Sequence, residues 1–193
     1  MSTRGAYGFR IHQTDKITYN HWDSYPTGFG VDVLTFIRNT PITELKTIAE
    51  KIVLIQSNGC PTYGQKEKYR KYADLSVAEQ SLNSWYCLLR KSQGDLGAYK
   101  EGLIHIIDSK EFLFDSLFCE WAYIINLDTN NLEIYKGFNN DPTSSGRYAN
   151  KSVHDDKAYY GVALISEIPL IDIGKMNKVK ISKLCKELES SDK

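Results

Sequence analysis

Side chains able to do chemistry crowd into residues 2–28, STRGAYGFRIHQTDKITYNHWDSYPTG, far beyond what a hairpin requires. Ser2, Thr3 and Arg4 stand at the start of the chain, and Asn20, His21, Asp23 and Tyr25 follow one strand-turn-strand later. An initiator Met before a small residue is normally removed, which makes Ser2 the expected mature terminus. Its hydroxyl and α-amine then belong to one residue. An α-amine titrates at roughly 7.7 to 8.0, so it can act as general base for the adjacent hydroxyl near neutral pH. In that scheme Ser2 is the nucleophile, Asn20 donates to a developing oxyanion, and Asp23 orients the amine or pairs with Arg4. Thr3, Arg4, His21 and Tyr25 shape a ligand pocket. The plain alternative makes Arg4 and Asp23 a surface ion pair and Asn20 and Asp23 turn or cap residues.

A hairpin is the element that would gather these groups. Tyr7, Phe9 and Ile11 alternate with Ala6, Gly8 and Arg10, and Ile17, Tyr19 and His21 alternate with Lys16, Thr18 and Asn20, the period of two of half-buried strands. With His12 to Asp15 as the connection, Ile11 pairs with Lys16 and facing residue numbers sum to about 27. Arg4 then falls near Asp23, and Thr3 near Ser24.

The pattern TRGAYGF followed by KITYNHWDSYP and a Gly resembles uncharacterised proteins of bacteria and their phages. The terminal hairpin is similar in outline to N-terminal-nucleophile (Ntn) hydrolases. In the choloylglycine-hydrolase branch a small terminal nucleophile opens the first strand and an Arg-Asn-x-Asp-like segment closes the second. By that resemblance Ser2 matches the nucleophile and Asn20 the Asn, while Tyr19 stands in place of the Arg and Asp23 lies one position late. The branch uses Cys where this chain has Ser2 and then Thr3. What the resemblance implies is an α-β-β-α sandwich and hydrolysis of amide or related bonds. It equally allows a noncatalytic, phage-associated relative with a defence-modulating or sequestering role.

Composition narrows the partners. The 193 residues suit one α+β domain spanning 1–193, and 24 basic residues balance 24 acidic ones, so no global field favours nucleic acid or anionic membrane. No stretch approaches the roughly 20 apolar residues of a membrane span. Cys60, Cys87, Cys119 and Cys185 form no CxxC pair, which points to reduced thiols and a cytoplasmic location, the host's if phage-encoded. No cofactor or metal is expected, and His154 with Asp155 and Asp156 is a weak metal signal. The expected partner is a small polar or anionic molecule.

Further along, periodicity predicts a helix over 31–38 and a second with Thr40 as N-cap and Pro41 at its first position. Residues 56–75 read as a loop with a charged flank, in which Lys66, Lys68, Arg70 and Lys71 offer either a phosphate patch or a solvated face. Ser76 and Glu79 match a capping box and predict a helix through WYCLLRK. Another helix is expected to carry Leu103, His105, Ile106 and Ile107. Then FCEWAYIINL and LEIYKGF flank DTNN as a second hairpin. Glu120 there shares a face with Phe118, Ala122 and Ile124, so it sits either in water at a strand end or at the site of Arg4. Residues 139–157 read as a mobile loop, with Ser144 to Arg147 a loose anion-binding turn. YYGVALISEIPL is expected to be a central or covered strand, and Val179, Ile181, Leu184 and Leu188 mark a terminal amphipathic helix.

This order argues for an α+β fold with antiparallel sheet covered by helices, either as the stacked Ntn-like sandwich or as a single sheet with helices on one side. Three functions remain open: an amide hydrolase using Ser2, a binder of a small polar or anionic ligand at the same cluster, and a protein-interaction domain using Tyr63 to Tyr72.

Overall fold

Left-handed backbone at His12 and Gln13 (φ 52° and 60°) makes the first connection a two-residue turn, joining strand β1, Gly5–Ile11, to strand β2, Thr14–Asn20. The fold is described here from a computed structural model over residues 3–155 and 158–190. Both turn amides donate to the Asp128 carboxylate, at 2.7 and 2.8 Å. Thr14 and Asp15 therefore belong to the strand and not to the loop. Ile11 faces Thr14, Gly5 faces Asn20, and the expected register is corrected by two residues.

β1 also pairs, in parallel, with β5, Trp121–Asn126, which forms the second hairpin with β6, Asn131–Lys136. β7, Ala163–Pro169, closes an order β2-β1-β5-β6-β7 in which only the β1–β5 pair is parallel. A separate parallel pair joins β3, Val53–Ile55, to β4, His105–Ile107, beside β2. Of the two layerings left open, the single main sheet is the one formed.

The period of two sends Tyr7, Phe9, Tyr123, Ile125, Leu132 and Ile134 to one face. There they meet helix α1, Val31–Arg38, through Val33, Leu34 and Ile37, and helix α2, Ile42–Lys51, through Leu45 and Ala49. The short α6, Leu170–Gly174, and the terminal α7, Lys178–Ser190, add Ile173, Ile181 and Cys185. Ala6, Ile17, Ala122, Ile124 and Tyr135 point to the other face, beneath Leu113 of the turn Lys110–Phe114 and Tyr148 and Val162 of the connection to β7. Apolar cover on both faces explains why every residue of β5 is buried.

Several expectations are corrected. Thr40 does not cap α2: its hydroxyl donates to the Phe36 carbonyl at 2.6 Å, ending α1, and Pro41 is the N-cap. The α2 C-terminus is finished by Lys16, whose ammonium donates to the carbonyls of Ala49 and Ile52, both at 2.8 Å. Residues 62–69 contain a helix, α3, Tyr63–Tyr69, begun by a capping box between Thr62 and Gln65. The box at Ser76 and Glu79 does not form, because Ser76 bonds Asp74 and Glu79 accepts from Ser84. Ala78 and Gln80 are left-handed, and only α4, Trp85–Leu88, and a 3-10 turn, Arg90–Ser92, are helical before the short α5, Gly97–Lys100. His105, Ile106 and Ile107 form a strand and not a helix, captured by pairing with β3. The connection over 139–155 is packed cover, with Tyr148 and Ala149 buried, and β7 is an edge strand with Ile165 and Glu167 turned outward.

Candidate functional site

The outer edge of β2 positions the cluster that matters most. Beyond Asn20 the chain turns, and the Ser24 amide donates to the Thr3 carbonyl at 3.1 Å, as the expected Thr3–Ser24 proximity requires. Arg4 continues the parallel ladder. Its carbonyl accepts from the Glu120 amide at 3.0 Å, and its own amide points at a Glu120 carboxylate oxygen 3.4 Å away. Glu120 thus lies at the site of Arg4, but it engages the backbone.

The corrected register takes Arg4 away from Asp23. Its guanidinium stacks on Phe118, 4.7 Å from the ring centroid, and forms no ion pair with Asp23. Beside it Tyr19 donates or accepts at 2.9 Å with His21 Nδ1. Burial pushes the Tyr19 hydroxyl upward in pKa, while the adjacent Arg4 charge opposes that rise. His21 is held below the ordinary histidine range by burial and by the charges of Arg90 and Arg4, so its imidazole is neutral at pH 7. Trp22, 56 % exposed, packs edge-on against His21 with centroids 4.3 Å apart. Arg90 lies 5.6 Å from the ring centroids of both Trp22 and Tyr86 and donates to Gln93.

Among the described residues neither Arg4 nor Arg90 has a carboxylate within ion-pair distance. Neither lines the cavity of about 300 Å³ beside them, but Arg4 adjoins its wall residue Tyr19, and Arg90 adjoins Tyr86 and Gln93. The cavity lies between β2 and the β3–β4 pair. Leu89, Leu103, Ile106 and Phe112 make it apolar, and Thr18, Ser57, Ser92 and Asp108 add scattered polar groups. Tyr7 reaches its floor, donating to the Ser92 carbonyl at 3.2 Å and accepting from the Gly94 amide at 3.1 Å, with its hydroxyl pushed up to about 12 by burial. His105 closes the far wall, bonded to Tyr69 at 2.7 Å and stacked on Trp85.

The other expected residues are dispersed. Ser2 lies outside the described residues. Asn20 is buried, and its amide nitrogen donates to the Trp22 carbonyl at 2.6 Å and the Ser24 hydroxyl at 2.9 Å. With both protons directed at protein acceptors, an oxyanion role would require one of these bonds to break. Gly94 fits against it: φ is +79°, and a Cβ there would stand 2.8 Å from Asn20 Oδ1. Asp23, also left-handed at φ 46°, and Tyr25 belong to a neighbouring depression of about 320 Å³ shared with Trp22, Asp32 and Gln93. Their carbonyls hold the turn Pro26–Gly30 by accepting from Phe29 at 2.8 Å and Gly28 at 3.0 Å.

Remoter candidates are occupied. Arg70 pairs with Glu67, Lys71 with Glu101 and Lys66 with Asn83, so the charged flank is a solvated face. Tyr63 is exposed but Tyr69 and Tyr72 are buried, which removes two of the tyrosines from any contact surface. Arg147 of the anion-binding turn holds Glu133 and Asp15, and His154 holds Asp115 at 2.9 Å. Among the described residues no cluster of three or more His, Cys, Asp or Glu could take a metal, and no helix is long and apolar enough to cross a membrane. Tyr86 and Arg90 were not singled out from the sequence. Their i,i+4 spacing, which places them on one face of a helical turn, was the available signal. Comparison with protein-family models, curated proteins and solved structures finds no match to this chain.

Proposed function

We propose that this chain binds a small anionic molecule with an apolar body, its charge on Arg4 and Arg90 and its body in the 300 Å³ cavity. The observation that carries this reading is the pair of arginines that, among the described residues, lack carboxylate partners beside the aromatic wall of Tyr19 and Tyr86. Guanidinium donors to an anion contribute about 1.5 to 3 kcal/mol each, more than neutral hydrogen bonds. Three tyrosines and Phe112 supply contact area for a ring or branched chain. Titration with 3-phenylpropionate, followed by intrinsic tryptophan fluorescence, tests the reading. Arg90→Ala and Arg4→Ala should each weaken binding by about 10- to 100-fold with circular dichroism unchanged. Saturation that ignores both arginines would move the site elsewhere.

Hydrolysis at Ser2 is the second reading. The Thr3 carbonyl bonded to the Ser24 amide and the Arg4–Glu120 ladder support it, because they hold Thr3 and Arg4 against the turn that follows Asn20. Turnover of N-acyl amino acids that disappears in Ser2→Ala, with binding retained, would make the protein an enzyme. Binding without turnover in the wild-type chain supports sequestration.

A further inference from the structure

β2 is an edge strand whose outer side is closed along only part of its length. Pairing across the two-residue turn puts Ile11 opposite Thr14 as a hydrogen-bonded pair, so Lys16, Thr18 and Asn20 direct their backbone groups inward to β1. Asp15, Ile17 and Tyr19 direct theirs outward. The Ser109 amide confirms this polarity by donating to the Ile17 carbonyl at 3.0 Å. One step further, the Tyr19 amide and carbonyl have no backbone partner among the described residues, and they face the cavity that Tyr19, Thr18 and Ser109 line. The open edge and the apolar cavity are thus contiguous, and Arg4 and Arg90 stand beside Tyr19 next to them.

We infer that the ligand is the carboxyl-terminal end of an extended peptide. This rests on the anion-binding reading and adds a backbone amide to it. An exposed strand edge with free donor and acceptor takes an extended chain by strand addition. The ligand's last amide nitrogen donates to the Tyr19 carbonyl, and the carbonyl oxygen of the amide before that one accepts from the Tyr19 amide, a parallel ladder in which the penultimate residue lies opposite Tyr19. Its terminal carboxylate reaches Arg4 and Arg90, beside the Tyr19 hydroxyl. Its last side chain enters among Leu89, Leu103, Ile106 and Phe112, which suits Phe or Leu. A nucleotide would match the charge and the ring but has no reason to use the strand edge.

Calorimetric titration of the full chain with four probes decides the matter. They are N-acetyl-Ala-Phe free acid, its carboxamide, its analogue methylated on the Phe nitrogen, and 3-phenylpropionate. The free acid should bind best, with each of the other three weaker by about 10-fold or more, the loss expected for one charge-assisted or buried hydrogen bond. Arg90→Met should lower affinity for the free acid by about 10-fold and leave the methylated analogue's penalty in place. If the methylated analogue or 3-phenylpropionate binds as well as the free acid, the strand edge is not used. The inference then fails while the anion site stands. Tighter, Arg90-dependent binding of adenosine monophosphate would overturn it in the same way. If no acid binds, or binding ignores Arg90, both readings fail. The comparison among ligands is made on wild-type protein, so it holds even if a variant misfolds.

Discussion

His105 shows how much a single side chain can reveal once its neighbours are fixed. Gln65 accepts from the Thr62 amide through Oε1 at 2.8 Å, so its amide nitrogen is the group facing His105 Nε2 at 3.2 Å. That nitrogen must carry the lone pair, and Nδ1–H donates to Tyr69; the tautomer is assigned by the network. A second proton would set two donors face to face. Burial, with the Lys68 charge adding to it, holds the imidazole below its usual range. The unfolded chain takes up this proton as pH falls past about 6.5, whereas the folded one resists until lower pH. Stability is therefore intact above that value and lost as pH falls toward the depressed folded value. Urea unfolding at about pH 7.5 and about pH 5.5, either side of the ordinary histidine pKa, should show a smaller loss in His105→Gln than in wild type. An equal or larger loss in the variant would assign the pH dependence to other groups.

At the scale of elements, the first turn holds two non-glycine residues in left-handed backbone, His12 and Gln13. Each such residue costs about 1 kcal/mol or more, and the contacts to Asp128 use backbone amides that any residue supplies. Gln13→Gly should raise stability by about 0.5 to 1 kcal/mol, read as a higher urea midpoint at unchanged slope. An unchanged or lower midpoint would mean the Gln13 side chain matters. The same turn shows where sequence reading stops. Alternation exposed β1, β2, β5 and β6, whose successive side chains divide between two covered faces, and apolar spacing exposed α1, α2 and α7, each of which buries one face. Nothing local in HQTD distinguishes a two-residue from a four-residue connection, so the register was missed, and with it the company of Arg4. Ser76 and Glu79 offered a sound local motif that Asp74 and Ser84 outcompeted. β4 is a strand only because β3 lies beside it. The candidate site was legible as a neighbourhood through Thr3, Arg4, His21 and Glu120, and illegible where Tyr86, Arg90 and the β2 edge complete it through long-range packing.

On the scale of the whole molecule, the polar connection between β6 and β7 is fastened to the sheet by charge. Arg147 grips both oxygens of Glu133, at 2.6 and 2.8 Å, and reaches Asp15 at 3.4 Å. Arg10 holds Asp15 from the other side at 2.8 Å, and Asn126 and Tyr135 donate to Glu133. Both carboxylates are almost fully buried. Arg147→Met would leave them short of a counter-charge and should cost about 3 to 5 kcal/mol, a large share of the 5 to 15 kcal/mol typical of a domain. Arg147→Lys should recover only part, since a point charge cannot reproduce the planar fork. Chemical denaturation measures both, and a loss below about 1 kcal/mol, as for an exposed pair, would show that the connection is held by Tyr148 and Val162 alone.

The parallel pairing of β1 with β5 also sets the order in which the sheet can be completed. Arg4 and Glu120, neighbours on that ladder, are 116 positions apart. During synthesis at about 5 to 20 residues per second, the first hairpin, complete at Asn20, waits roughly 5 to 21 seconds for β5, complete at Asn126. Through that interval the edge on which Ala6, Gly8 and Arg10 present their backbone groups is open to any passing strand. The nascent chain is accordingly most exposed to mispairing, and most in need of chaperone protection, before β5 leaves the ribosome.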